Sequence, residues 1–353
     1  MKVCVVGGGN LGTLLISELS SKGYDTFLYT KNSSQWDQDI CVYDKMDREL
    51  LSSKGFEVTD RLDYAISNAD YIWITYPAFL FDDLAKALLP IIKKGQVLVC
   101  LPGSGGAEFA FSSLIKKGVV LSGLQRVHCI TRIKEPRKSV YALGRKPSVS
   151  LGSFPAEKAT DLALDISNML SMPCFPLPNY LCVTLSPSNP ILHTSRLYTM
   201  FKDYHKGLFY DHNILFYEEW TDEASECLIL CDNELQLICS CLGHYDLSSV
   251  VSLRDYYESY SVSEMTQKIS GIQAFRGISS PMIMTENGWI PNFYSRYFKA
   301  DFSYGLKVLI DIAGKLGCPV PTMCKVWDWY VSISDSKDYF HLNDSNWDIL
   351  GYW

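Results

Sequence analysis

Two stretches of this sequence carry residues whose types and spacing could do chemistry. The first is "KVCVVGGGNLG", where Gly7, Gly9 and Gly12 fall in G-x-G-x-x-G spacing between an apolar strand-like run and a helical one. In that setting Gly7 permits a tight turn, Gly9 lets a pyrophosphate approach the backbone, and Gly12 lets helix and strand pack closely. With Asn10 and Leu11 completing the turn, the helix N-terminus offers unpaired N–H groups to an anion, the chemistry of dinucleotide binding. The second is "SNPILHTSRLY", which puts His193 after an Asn-Pro step at the start of a helix. Imidazole titrates near neutrality, so His193 could give and take a proton; the plainer alternative is a capping or packed histidine.

The end of the second strand bears on which nucleotide binds. A carboxylate there would hold the adenosine ribose hydroxyls, yet the chain reads Tyr29-Thr30-Lys31-Asn32-Ser33-Ser34. A cation and hydroxyls suit a ribose phosphate, so Thr30 and Lys31 point to NADP in preference to NAD. Two later strand ends bring Tyr76, Pro77 and the Pro102-Gly103 turn to the carboxyl edge of the sheet, where doubly wound folds bind ligands. Gln125 and His128 lie at or beyond a further strand end and are candidates for holding a small-molecule substrate.

These residues need a scaffold, and the first half of the chain supplies its pattern. Short apolar runs at Lys2–Val6, Thr26–Tyr29, Tyr71–Tyr76, Val97–Leu101 and Val119–Ser122 alternate with helical spacing at Leu11–Lys22 and Leu80–Lys93. That alternation predicts an α/β fold, a parallel sheet built of βαβ units, with Lys134–Val149 as a further strand pair. The proline-rich stretch Pro173–Asn189 marks a domain boundary. Beyond it the pattern is helical, at Leu197–Gly207, Asp222–Cys231, Asn233–Leu242, Ser263–Ile269 and Phe302–Leu316.

The whole composition narrows the partners. At 353 residues the chain can bury two cores, and a net charge of -7 with scattered cations argues against nucleic acid or anionic membrane. Small molecules are the expected partners, with a homodimer as the assembly to test. Strand begins at Lys2, which leaves no room for a signal peptide, and no apolar run approaches a membrane span. The twelve cysteines include Cys4, Cys100, Cys174 and Cys182 within apolar segments, as expected of free thiols in a cytoplasmic protein. Cys227, Cys231, Cys239, Cys241 and His244 invite a zinc reading, but their spacing follows amphipathic helices and no metal is expected.

Taken together, the Gly-x-Gly-Asn-x-Gly turn, Tyr76-Pro77-Ala78-Phe79, Pro102-Gly103 and Asn189-Pro190 leading to His193 resemble the octopine/nopaline (opine) dehydrogenase family. "FYEEWTDEASECLILCDNELQLICSCLG" looks like that family's helical core, with Asp232 and Glu234 at its Asp-x-Glu. "SRYFKADFSYGL" resembles its Arg-x4-Asp-x-Pro-Tyr-Gly-Leu signature, giving Arg296 and Asp301. The resemblance implies a Rossmann-type dinucleotide-binding domain over 1–180 and an all-α substrate domain over 181–353, with the active site in the cleft between. It also implies NADH- or NADPH-dependent condensation of a pyruvate-like 2-oxo acid with an amino acid amine to an N-(carboxyalkyl)amino acid, and the reverse oxidation. His193 would be the proton-transfer residue, Asp301 the carboxylate that fixes its tautomer, and Arg296 the clamp on a substrate carboxylate.

The chain departs from the family pattern at Thr194 and Ser303, where proline is usual. Rival readings are a ketopantoate reductase or glycerol-3-phosphate dehydrogenase type of enzyme, and a nucleotide-binding sensor without catalysis. The first lacks a convincing lysine, since Lys202 and Lys206 have no matching context. The second must explain why His193, Asp301 and Arg296 are all present.

Overall fold

The computed structural model describes residues 1–37, 39–53, 55–186, 188–334 and 337–351. These form two compact units, the first comprising residues 1–184 with the segment from Asn343 onward, the second residues 185–342. The division thus falls four residues beyond the expected 180/181 boundary, and the last segment joins the first unit instead of the second. The physical reason is packing: Trp347 on the helix Asp344–Leu350 stacks against Phe109.

The first unit is built on an eight-stranded sheet. Its strands run in the order Cys174–Pro176, Val149–Phe154, Val120–Leu124, Val97–Cys100, Tyr71–Ile74, Lys2–Val6, Asp25–Tyr29, Glu57–Thr59. Pairing is parallel throughout except where Val149–Phe154 meets Val120–Leu124. The central strands are buried along their whole length apart from Lys2, as parallel strands covered on both faces must be. The chain order reverses at Lys2–Val6, which is flanked by Asp25–Tyr29 and Tyr71–Ile74, so the Gly7 turn opens at a topological switch point.

A second, four-stranded sheet was only half foreseen. The expected Lys134–Val149 pair is the hairpin Cys129–Glu135 with Ser139–Arg145, and Ile40–Tyr43 and Glu49–Ser53 complete the sheet. It covers the helix Asn10–Ser21 from the outside. Leu15, Ile16 and Leu19 pack on the main sheet, while Leu14 packs with Val42, Cys129 and Val140 of the small one. Every residue from Gly12 to Ser20 is therefore buried. Asn10 locks the arrangement, its side-chain carbonyl accepting from the Ile133 N–H at 2.7 Å.

The second unit is helical apart from one hairpin, Met282–Thr285 with Gly288–Pro291. Asp222–Cys231 and Asn233–Leu242 are a single helix, Asp222–Cys241, whose N-terminus is capped by Thr221 accepting from the Ala224 N–H and favoured by Asp222 and Glu223. The helix expected over Leu197–Gly207 instead runs Asn189–Phe201. Phe302–Leu316 divides into a π-helical segment, Tyr297–Leu306, and the α-helix Lys307–Leu316. Phe298 and Phe302 of that segment stack with Tyr330, so an aromatic core fixes the position of Asp301 between them.

Candidate active site

The glycine turn divides its labour as the spacing predicts. A Cβ on Gly12 would overlap the Gly7 carbonyl oxygen, and one on Gly7, whose φ is +110°, would lie 2.7 Å from Thr75 Oγ1 and 2.9 Å from the Tyr76 ring. A Cβ on Gly9 would meet nothing within 4 Å. Two glycines are thus required by the protein's own packing, while the third leaves open space before the helix N-terminus. That terminus has no side-chain cap and no acidic residue in its first turn, so its leading amides are free of a competing anion. These residues fit a pyrophosphate. Gly8 lies directly beneath the indole of Trp36, a buried residue that pattern reasoning passed over because the 31–39 stretch has no regular period.

The other first-unit candidates are distributed unevenly. The Thr30 N–H donates to Thr59 O, and Lys31 is exposed with no ion pair among the described residues. Tyr76 is half-buried over Gly7, and that burial pushes its phenol up to about 12; Pro77 opens the turn Ala78–Leu80. Pro102 precedes Gly103, whose N–H donates to Leu124 O at 2.8 Å. Gln125 donates its amide to Cys182 O at 3.2 Å. His128 does not serve as expected. It is fully buried and its Nε2 sits 3.0 Å from Glu18, a carboxylate that His128 and Arg145 hold below the usual range against the burial that would raise it. His128 is therefore engaged by Glu18 in the interior of the first unit.

Glu108, on the short helix after the Pro102–Gly106 turn, was not anticipated. It is fully buried, accepts from the Thr184 hydroxyl through Oε1, and leaves Oε2 without a hydrogen bond. Burial raises its carboxyl to about 7. The folded state thus holds a proton that the unfolded chain releases at ordinary acidity, so stability falls as pH rises from about 4.5 to about 7. Glu108→Gln is expected to raise the melting temperature by several degrees at pH 8, a gain that shrinks as pH is lowered toward 5. Thermal melts across that range check it, and a pH-independent difference would remove burial of the charge as the cause.

In the second unit the structure brings His193 and Asp301 together. His193 Nδ1 lies 2.8 Å from Asp301 Oδ2, although 108 residues separate them. The histidine stands in the second turn of its helix, not at the helix mouth, and is only 6% exposed. Its ring is edge-on to Phe216 and tilted against Tyr297 at 4.9 Å. Its other nitrogen, Nε2, is 2.9 Å from the hydroxyl of Tyr217. A carboxylate only accepts, so Nδ1 carries a hydrogen, and in the neutral ring Nε2 then presents its lone pair to the tyrosine hydroxyl. The π-helical winding around Asp301 is the kind of local irregularity often found at functional sites.

The two departures from the family pattern are absorbed structurally. Thr194 Oγ1 donates to Pro190 O at 2.6 Å, and the buried Ser303 hydroxyl lies 3.2 Å from the Tyr330 hydroxyl. Neither touches the His193–Asp301 pair. Arg296, at the head of the π-helical segment, is exposed and makes no hydrogen bond or ion pair among the described residues. Its guanidinium is available to a carboxylate.

Asp232 and Glu234 are architectural. Asp232 is buried, which raises its carboxyl to about 6, and accepts from the Leu253 N–H. Glu234 accepts from the Thr322 and Met323 N–H groups at 2.6 and 2.8 Å, capping the helix Pro321–Ile333 from a neighbouring helix. Of the cysteines, Cys4, Cys100 and Cys182 are buried and outside any disulfide and Cys174 is half-buried, whereas Cys241 pairs with Cys318 in a disulfide. That pairing is a correction to a reading of free thiols throughout. No helix among the described residues is long and apolar enough to cross a membrane.

Comparison with known proteins follows the same division. Residues 176–334 match the family model of the alpha-helical domain of NAD/NADP octopine/nopaline dehydrogenase, and residues 3–156 match that of ketopantoate reductase PanE/ApbA. Tauropine dehydrogenase of Arabella iricolor is 27% identical, over 92% of this chain and 89% of its own. Octopine dehydrogenase of Pecten maximus is 24% identical, over 93% and 89%. A structure of octopine dehydrogenase with NADH and L-arginine shares the fold at a TM-score of 0.84 and 23% identity, over 94% of this chain and 89% of that one. Yersinopine dehydrogenase with NADP+ does so at 0.68 and 14%, over 100% and 97%. Over residues 176–334 this chain carries the alpha-helical domain of NAD/NADP octopine/nopaline dehydrogenase, and over nearly its full length it is similar to dehydrogenases of that kind.

Proposed function

We propose that this chain reductively condenses a pyruvate-like 2-oxo acid with the amine of an amino acid, and oxidises the product in reverse. The observation that carries this reading is the His193–Asp301 pair, set on the family's helical domain with an unpartnered Arg296 five residues before Asp301. A bound nicotinamide dinucleotide supplies the hydride. The chain's own residues do the rest: the Gly7–Gly12 turn binds the pyrophosphate, Arg296 orients a substrate carboxylate, and His193 with Asp301 holds the proton needed at the imine nitrogen. Tyr76, Pro77 and Pro102, at the carboxyl edge of the sheet, would help hold the nucleotide, and Gln125 is a candidate contact for the oxo acid.

The cofactor preference we assign is NADP, because exposed Lys31 and the hydroxyls beside it occupy the place of a ribose-binding carboxylate. A lysine-dependent reductase reading gains no support, since Lys202 is ion-paired with Glu223. The place of action assigned here is the cytoplasm, with a homodimer as the assembly to measure. The test is a matrix of oxo acids and amino acids or taurine, following NADPH and NADH oxidation. Turnover of at least one pair is expected. Cofactor binding without turnover of any pair would favour a sensor, and tighter binding of NADH than NADPH would overturn the NADP assignment. Lys31→Ala is expected to weaken NADPH binding by about tenfold, the equivalent of about 1.4 kcal/mol, and to leave NADH binding unchanged.

A further inference from the structure

His193 has no ring nitrogen open to substrate in this structure. Nδ1 is held by Asp301, and the single lone pair of Nε2 faces the Tyr217 hydroxyl at 2.9 Å. A substrate nitrogen and Tyr217 cannot both use that lone pair. Either the tyrosine leaves or the proton passes through it.

The surroundings of Tyr217 decide between these. Its ring is stacked on Phe275 at 4.2 Å and lies parallel to Trp220. The backbone on either side is tied down by the buried Arg196, whose Nε donates to Phe216 O at 3.0 Å and whose other nitrogen donates to Glu219 O at 2.6 Å. The Phe216 N–H donates to Ile278 O at 2.7 Å, and the Trp220 indole donates to Ser225. Arg196 is one turn beyond His193, so the same helix presents the imidazole to the hydroxyl and fixes the segment that carries it. Moving Tyr217 aside would undo several buried contacts; rotating its O–H leaves the stacked ring in place.

We propose that Tyr217 is the residue that passes the proton between His193 and the substrate nitrogen, a role that rests on the reductive reading above. As the imine carbon is reduced, the Tyr217 O–H bond breaks and an N–H bond forms at the substrate nitrogen. The phenolic O–H is restored by the proton leaving Nε2 of the His193 imidazolium, while the Nδ1 hydrogen stays on Nδ1, donated to Asp301. One proton is transferred in all, and oxidation reverses each step. Asp301, His193 and Tyr217 thus form a relay whose outer atom is a phenol oxygen.

Tyr217→Phe removes that atom and keeps the stacked ring. For a substrate pair turned over by the wild type, kcat is expected to fall by about 10²–10³, within the range of general acid–base catalysis, with cofactor affinity unchanged. The solvent deuterium isotope effect should respond to more than one moving proton in the wild type only. A variant kcat within about threefold of wild type overturns the relay, because His193 then serves the substrate directly. The histidine ring ¹⁵N spectrum of the substrate-free protein supplies a readout that does not depend on turnover. The Nε2 resonance of His193 should move in Tyr217→Phe and the Nδ1 resonance stay; an unmoved Nε2 overturns the relay even where no substrate pair is found.

Discussion

Replacing His193 by Ala is expected to lower kcat by about 10²–10⁴ in both directions, or about 2.7–5.4 kcal/mol of barrier, while dinucleotide binding is retained. The size follows from what is removed. His193 is the one titratable group between the Asp301 carboxylate and the Tyr217 hydroxyl, so its loss interrupts proton supply to the nitrogen. Dinucleotide binding survives because the Gly7–Gly12 turn belongs to the other unit. A buried imidazole also packs, here edge-on to Phe216 and beside Tyr297, and alanine would leave a cavity and take the histidine hydrogen bond from Asp301 and from Tyr217. His193→Gln, which refills most of the space, separates the effects. It should restore the melting temperature and not the rate. Turnover within about tenfold of wild type in either variant would remove His193 from the chemistry.

How far the sequence could be read depends on the range of the interactions involved. The Gly7–Gly12 turn was legible because its requirements are local: one glycine at positive φ, one pressed against a carbonyl, one facing open space. The parallel strands were legible because burial on both faces leaves continuous apolar runs. The small sheet was less so. Ile40–Tyr43 is short and pairs with Ser139–Tyr141 almost 100 residues later, and Glu49–Ser53 joins the sheet at its edge through Ile40–Tyr43. His128 misled for a similar reason, since the Glu18 carboxylate it meets lies on a helix 110 residues away. Tyr217 stood within a stretch singled out for its likeness to a helical core, yet nothing in its own spacing marks it. Its significance comes from the hydroxyl meeting His193, and that contact exists only in three dimensions.

Asp301→Asn is expected to cost about 10³–10⁴ in kcat, by analogy with the same replacement in hydrolytic triads, while changing shape least. The carboxylate can only accept, so it keeps the hydrogen on Nδ1 and turns the lone pair of Nε2 toward Tyr217. Asparagine can donate from its amide nitrogen. With that donor against Nδ1 the neutral ring takes its hydrogen on Nε2, where it can no longer accept a proton from the amine side. The amide also provides no negative charge for an imidazolium. Neighbouring contacts should persist, because Phe298 and Phe302 hold the π-helical segment through Tyr330 irrespective of residue 301. Melting temperature and cofactor binding should therefore stay near wild type while kcat collapses. More than a tenth of wild-type kcat in Asp301→Asn would show that tautomer control is not limiting. The double variant with His193→Ala carries the argument further, since residues acting as one unit are strongly non-additive. A double variant no slower than His193→Ala alone places the whole effect of Asp301 in the histidine it holds, whereas a further drop means that the carboxylate meets the substrate itself.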